Sequence, residues 1–449
     1  MKIPQVAKNL ARIFDNAGYE CYLVGGAVRD ILMKRTLTDF DIATDATPLE
    51  VTKLFKRVIP TGVKHGTVTV LFKAEEFEVT TFRIEADYTD GRRPDSVSYS
   101  SSILEDLRRR DFTINGIAFD LKTCRLIDPH SGIDDLKKRI IKAIGNAVDR
   151  FTEDALRTLR ACRIAAQLSF EIESNTERAI RTTREGIKRI SNERIRDEII
   201  KIVQADDPVY GFELLEKTEL LSLILPELHA CIGIEQRELH EFDVFHHSLY
   251  ACKSAPKERL ILRLAALLHD VGKAGALFYN EVGEPRFHNH EKLSAELSTA
   301  LLRRLKFPNE VIKRVTHLIL NHMFNYQEEW KDAAVRRFAA RVGREHLADL
   351  FALRRADQLS TGRNTGGNER LAAFLKRIEA VAKRDSIYSL KDLRISGDDI
   401  MARLSLNPGP QIGIILSFLL ESVLEDPDLN NPDSLLKIAA NFYNDRLRQ

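Results

Sequence analysis

The chain has 449 residues, of which 44% are hydrophobic and 30% charged, with a formal net charge of +2. That is long enough for three or four modules of ordinary globular composition, and so small a net charge by itself says nothing for or against a nucleic-acid partner. No run approaches the roughly 18 to 20 apolar residues of a membrane span, and Met1-Lys-Ile-Pro-Gln-Val-Ala-Lys lacks a signal-peptide core, so a cytoplasmic location is expected.

Helical spacing fits residues 4–17, and a strand-length apolar run follows at 21–24. A Gly25-Gly26 turn and a short helix at 27–33 lead to a second strand carrying Asp39 and Asp41. Thr47-Pro48, a cap followed by a first-turn proline, opens a helix over 48–56. Further strands are predicted at 67–72, 76–82, 114–119 and 125–127, with a mobile loop from Glu85 to Ser102. From about 146 the β signal disappears and helical periods dominate. The predicted fold is α+β: a small mixed-sheet head over 1–145, then an all-helical neck (146–205), body (206–365) and tail (366–449). Cys21, Cys124, Cys162, Cys231 and Cys252 are odd in number and without CxxC spacing, which argues for buried apolar thiols instead of disulfides or a zinc knuckle.

The chemistry begins at Asp39 and Asp41. Residues two apart on a strand share a face, so both carboxylates point together while Phe40 and Ile42 pack beneath the sheet. Paired hard oxygen ligands suit Mg²⁺, which keeps its other positions for water and substrate phosphates, as phosphoryl transfer requires. The Gly25-Gly26 turn at a helix start offers backbone N–H groups to phosphate oxygens, and Arg29 adds a charged fork. Glu78 on a neighbouring strand is the candidate third carboxylate; Glu76 shares its face, and alternating surface glutamates are the plainer explanation of that pattern. Basic residues gather between about 150 and 200, where Arg157, Arg160, Arg163, Arg181, Arg184, Lys188, Arg189, Arg194 and Arg196 form either a polyanion surface or a solvated face of intrahelical ion pairs.

With these motifs in order, the sequence resembles the class II tRNA nucleotidyltransferases, the CCA-adding enzymes and poly(A) polymerases of the polymerase-beta superfamily. Gly25 to Asp30 with Asp39-Phe-Asp41 looks like the first family motif, and Arg108-Arg-Arg-Asp111-Phe-Thr-Ile-Asn115 like the second, which reads the ribose. Asp128 to Leu136 resembles the third, a hinge or lever; Glu153-Asp154-Ala-Leu-Arg157 the fourth; Ser191 to Glu198 the fifth. The resemblance implies addition of C, C and A to a tRNA 3′ end from CTP and ATP. Asp39, Asp41 and Glu78 would be catalytic, and Gly25, Gly26, Arg29, Arg110, Asp111 and Asn115 would hold nucleotide. Three apart on a helix, Asp154 and Arg157 would present an acceptor and a donor fork in one plane to the base, with Arg160 and Arg163 as further nucleotide or positioning contacts. Gly116 departs from the family, where Ala commonly follows the Asn.

The histidines follow a second pattern. His247, His269-Asp270 and Asp357 resemble the HD metal-dependent phosphohydrolases, with His290 and His322 where two-metal members place extra ligands, His246 as an alternative to His247, and Lys273 nearby. Imidazole with carboxylate suits Mn, Ni, Fe or Co. The implied substrate is a phosphate ester on an RNA end. The tRNA acceptor arm, CTP and ATP are the expected partners, with no membrane; homodimerisation through the helical body is left open. Two rival activities remain at this point, an A-adding enzyme or poly(A) polymerase, and an HD phosphohydrolase with a nucleotide-sensing head. The retained loop Glu85 to Asp95 argues against C-only addition.

Overall fold

The computed structural model describes residues 3–37, 39–63, 66–86, 96–100, 102–236, 241–362, 367–385 and 389–447. The head opens with α1 (Gln5–Asn16), β1 (Cys21–Val24), α2 (Gly25–Leu32), β2 (Phe40–Thr44) and α3 (Pro48–Leu54). β3 (Val58–Gly62), β4 (Thr67–Phe72), β5 (Glu75–Thr81), β6 (Arg83–Ala86), β7 (Ser96–Tyr99), α4 (Ile103–Arg108), β8 (Ala118–Asp120) and β9 (Leu126–Ile127) follow. Seven strands form one sheet in the order β3-β4-β5-β2-β1-β8-β9, in which β2 and β5 run parallel. β6 and β7 pair as a separate ribbon; the loop predicted between them lies mostly outside the described residues.

Alternation gives this sheet two faces. On one, Leu23, Phe40, Ile42, Phe77 and Val79 form a core with Leu10 and Phe14 of α1. On the other, Tyr22, Val24, Ala43 and Ala118 pack with Phe82, Ile103 and Leu107, so α4 lies over the face to which Asp41 also belongs. That brings the arginines following α4 to the acidic strand end.

The second and third motifs are tied by backbone contact. After the head sheet, α5 (Gly132–Lys138) starts where Asp128 accepts from the Gly132 and Ile133 amides at 2.7 and 2.9 Å, and Thr113 donates to Asp135 at 2.7 Å. A Cβ on Gly132 would lie 2.1 Å from the Thr113 carbonyl oxygen, a backbone atom that has nowhere to move. Gly132→Ala should therefore cost about 3 kcal/mol by overpacking. Gly413→Ala, in a helix with nothing within 4 Å of the new methyl, should gain roughly 0.5–1 kcal/mol. Calorimetric unfolding of both variants tests the opposed signs.

Beyond the head come β10 (Ile140–Ile141), α6 (Ala147–Glu153), α7 (Leu156–Leu168), β11 (Glu171–Ile172), α8 (Ser174–Thr183), α9 (Asn192–Val203) and α10 (Pro208–Lys217). The short α11 (Leu221–Ile224) and α12 (Pro226–His229) end the first of two compact units, Met1–His229 with Arg304–Phe307. The second unit holds α13 (Val244–Ser254), α14 (Leu260–Leu268), α15 (Lys273–Ala276), β12 (Leu277–Tyr279), β13 (Pro285–Phe287), α16 (His290–Arg304) up to Arg303, α17 (Asn309–Asn321), α18 (Asp332–Val342), α19 (Arg344–Leu359) and α20 (Gly367–Asp385). α21 (Gly397–Leu404), α22 (Pro410–Glu425) and α23 (Pro432–Arg446) close it around Ile400, Ile415, Leu419, Val423 and Leu435.

Two details correct the sequence-based expectation. The part expected to be all helical contains β11, which pairs with β10 at the end of the head, and the β12–β13 ribbon, all too short to leave a pattern. Of the cysteines, four are buried but Cys124 is exposed, at φ +58° in the turn between β8 and β9.

Candidate active site and metal centre

At the acidic end of β2, Asp41 stands directly opposite Glu78 of β5 in parallel register, and Asp39 is the residue before the strand. Burial is the first cause of a raised Asp41 pKa, to about 6; Glu78 and Asp39 push it further, while Arg110 and Arg29 oppose them. A half-desolvated carboxylate flanked by two others is a site that a divalent cation relieves. Gly25 makes room for it. At φ +67°, a Cβ there would sit 3.1 Å from both Asp41 Oδ2 and Arg110 Nη1, so this glycine supplies both the turn and the close approach.

Behind the carboxylates, residues of the first two motifs and Arg160 of α7 join in one chain of hydrogen bonds. Arg29 Nη1 donates to Asn115 Oδ1 at 2.9 Å, Asn115 Nδ2 to Asp111 Oδ1 at 3.1 Å, and Arg160 Nε and Nη2 to Asp111 Oδ2 at 2.9 and 2.5 Å. Burial alone would raise the Asp111 pKa, but Arg160, Asn115 and the Phe112 amide hold it well below the usual carboxylate range. The ribose and nucleotide candidates thus hold one another in place.

The fourth motif differs from the sequence expectation. Asp154 is not on a helix with Arg157: it lies in the break between α6 and α7, extended at φ −140°, with Oδ2 accepting from Arg194 at 2.7 Å. Arg157 is buried, its Nη1 donating to Glu153 at 2.7 Å and to the Arg150 carbonyl, its Nη2 to the Arg109 carbonyl. Those acceptors take up the fork that was expected to share a plane with Asp154. Arg163 is paired with Glu198. The basic stretch is largely paired as well, locally in Lys188–Glu185 and Arg181–Glu177, across the fold in Arg184–Glu219.

In the second unit, six donors converge. His247 Nε2 lies 3.3 Å from His269 Nε2, 3.4 Å from Asp270 and 3.1 Å from Asp357. His290 Nε2 and His322 Nε2 lie 3.3 and 3.8 Å from Asp270 Oδ1. His247, His269 and Asp357 form one donor triplet within 4.8 Å, and His269, Asp270 and His322 another; the head carboxylates form no such triplet among the described residues.

The second layer fixes the tautomers. The Nδ1 atoms of His269, His290 and His322 face the carbonyls of Ala266, Phe287 and Ile319 at 2.8, 2.9 and 2.7 Å. A carbonyl only accepts, so each Nδ1 carries hydrogen and each Nε2 turns a lone pair inward when neutral. His247 Nδ1 does the same toward the Ser360 hydroxyl, which itself donates to the Asp357 carbonyl. Asp270 Oδ1 and His290 Nε2 are buried and face each other at 3.3 Å, with no well-aligned hydrogen bond to either among the described residues, as two ligand atoms turned to one centre would be. Burial disfavours charge on His269, but Asp270 and Asp357 overcome it and raise its pKa; at His322 burial and the neighbouring His269 lower it. His246 instead bonds Asp243 at 2.7 Å.

Comparison with known proteins accounts for the whole length. A CCA-adding enzyme of Lactiplantibacillus plantarum is 33% identical over 440 residues, covering 97% of this chain and 95% of the relative. The chain belongs to the CCA-adding enzyme family. The poly A polymerase head domain model matches residues 21–142, that of the RNA and SrmB-binding site of polymerase A 169–232, and tRNA nucleotidyltransferase domain 2 289–439. A CCA-adding enzyme of Lactobacillus johnsonii is 50% identical over 206 residues, 46% of this chain; in that match the chain spans about half of the relative, 52%. The crystal structure of a Bacillus stearothermophilus CCA-adding enzyme in complex with CTP superposes with a TM-score of 0.75 at 29% identity, covering 100% of both chains.

One residue that sequence reasoning passed over is Asp106. Only 1% exposed, it accepts from Arg109 at 2.6 and 3.0 Å and from Arg110 at 3.0 and 3.3 Å, holding beside Asp41 the arginine that opposes its raised pKa. The i, i+3 and i+4 spacing, running from α4 into the residues just after it, was the available signal. Gly116 is also explained: a methyl there would come 2.7 Å from Ile144 Cδ1, so Ile144 fills the space.

Proposed function

We propose that the chain adds C, C and A in turn to tRNA 3′ ends from CTP and ATP, and that the head carries out this transfer. The tRNA 3′-hydroxyl attacks the α-phosphate in line, and pyrophosphate leaves. The observation that carries the proposal is Asp41, a carboxylate with raised pKa in register with Glu78 and crowded against Gly25 and Arg110. Asp39, Asp41 and Glu78 would hold Mg²⁺, which when bound supplies charge neutralisation for the phosphates. Gly25 and Gly26 open the helix that receives the triphosphate, with Arg29 turned toward Asn115. Asp111, locked by Arg160 and Asn115, stays ionised to accept from a ribose hydroxyl. Asp154 is the base-reading acceptor, and Arg157 joins it once released from Glu153. tRNA lacking its three terminal nucleotides should gain two C residues with CTP alone and the full CCA with both nucleotides. Failure to incorporate C would overturn this product.

A second reading is favoured by the convergence of the six buried donors. His247, His269, Asp270, His290, His322 and Asp357 fit one or two transition-metal ions, with Asp270 Oδ2 turned to His247 and His269 and its Oδ1 to His290 and His322. Such ions supply Lewis acidity for hydrolysis of a phosphate ester. Lys273 Nζ, 2.7 Å from Asp270 and 2.6 Å from Gln236 Oε1, stands ready to bind the phosphate.

A further inference from the structure

Between Lys273 and His290, both in contact with Asp270, the chain inserts the β12–β13 hairpin. Its register pairs Leu277 with Phe287, Phe278 with Arg286 and Tyr279 with Pro285. Strand alternation therefore puts Leu277, Tyr279, Pro285 and Phe287 on one face. Phe287 shows where that face looks, because its ring centre lies 5.4 Å from Lys273 Nζ. Tyr279 sits diagonally from Phe287 on the same face, a spacing aromatic side chains bridge, yet it is 65% exposed. The opposite face carries Phe278, whose ring packs 4.9 Å from that of His288 and remains 40% exposed.

A ribbon of three residues per strand has no core of its own, so Tyr279 and Phe278 stand largely in solvent while Phe287 lies half-buried beside Lys273 and the six-donor cluster. We propose that the hairpin is a nucleobase platform that seats the base of a nucleoside phosphate held at the cluster. The phosphate lies at Asp270 and Lys273 and the base against Tyr279 and Phe287; this rests on the phosphohydrolase reading above. Stacking suits any base, since each has a π face. For a monoester, water adds to phosphorus, the P–O bond to the sugar breaks, and one proton of the water ends on the departing sugar hydroxyl.

The full chain loaded with Mn²⁺ should bind adenosine 5′-monophosphate more tightly than ribose 5-phosphate, which carries the same phosphate without a base. Calorimetry should show Tyr279→Ala weakening the nucleotide about tenfold and leaving ribose 5-phosphate unchanged, with Tyr279→Phe restoring the parent value. KM for nucleotide hydrolysis should follow, with kcat within about twofold and CCA addition unaffected. If both compounds are hydrolysed but Tyr279→Ala leaves nucleotide affinity intact, the platform is wrong and the hydrolase reading stands. If neither is hydrolysed and Asp270→Asn changes no affinity, the hydrolase reading falls and takes the platform with it. A variant altered only in sedimentation would mean that the face meets another copy of the chain, which also overturns the proposal.

Discussion

Asp41→Asn should abolish nucleotide addition and at the same time raise the melting temperature of the metal-free chain at pH 8. The first effect follows from removing the innermost carboxylate of the proposed Mg²⁺ site; losses of at least about a thousandfold are usual when a charge-stabilising group is deleted from phosphoryl transfer. The second follows from the raised pKa. With about 6 in the fold against the ordinary 3.8, Asp41 binds its proton more tightly folded than unfolded. Its favourable contribution is complete below about pH 4 and is lost as pH rises through 6, amounting to at most about 3 kcal/mol. Asparagine escapes that loss. In EDTA the melting-temperature gain should be largest near pH 8 and fade toward pH 4, and Mg²⁺ should narrow it by stabilising the parent. Primer extension on tRNA lacking CCA, with calorimetry across that range, reads both. An inactive variant that melts lower than the parent at pH 8 would mean that Asp41 is structural.

How much of this was legible beforehand depends on whether the determining contacts were local. β1 and β4 begin and end where their apolar runs do, and the Thr47-Pro48 cap of α3 is present as a full capping box with Glu50. β3 was missed because Val58-Ile-Pro-Thr-Gly62 is an edge strand with mostly exposed side chains, where Pro60 costs no ladder bond and no alternation survives. The break before α7 was missed for another reason: no proline or glycine marks it, and Asp154 leaves the helix to meet Arg194, 40 residues away. The Arg29–Asn115–Asp111–Arg160 chain was likewise beyond sequence spacing, since its links join residues 86 and 49 apart. In the histidine cluster the ligand types carry a pattern, but the groups that orient them at His269, His290 and His322 are backbone carbonyls, which any residue provides.

That cluster gives the other large expected effect. Without a cation, four imidazoles and two carboxylates are packed together out of water, with Asp270 Oδ1 and His290 Nε2 poorly aligned for a hydrogen bond, and that desolvation costs folding free energy. An ion that binds only the folded chain offsets that cost and adds about 2.7 kcal/mol at a hundredfold excess over its Kd, roughly 5–10 °C for a unit of this size. Chain stripped with EDTA should therefore melt lower, and Mn²⁺ or Ni²⁺ should restore it well before Mg²⁺ does, because nitrogen donors favour the borderline metals. Asp270→Asn should erase the response, since Asp270 is the carboxylate nearest to His247, His269, His290 and His322 together. CCA addition by that variant should stay within about twofold of the parent, because the proposed transfer uses none of these residues. Equal stabilisation of the parent and Asp270→Asn by Mn²⁺ would show that the ion binds elsewhere. The six donors would then be a buried polar network held by protons, with His269 carrying the positive charge that Asp270 and Asp357 demand.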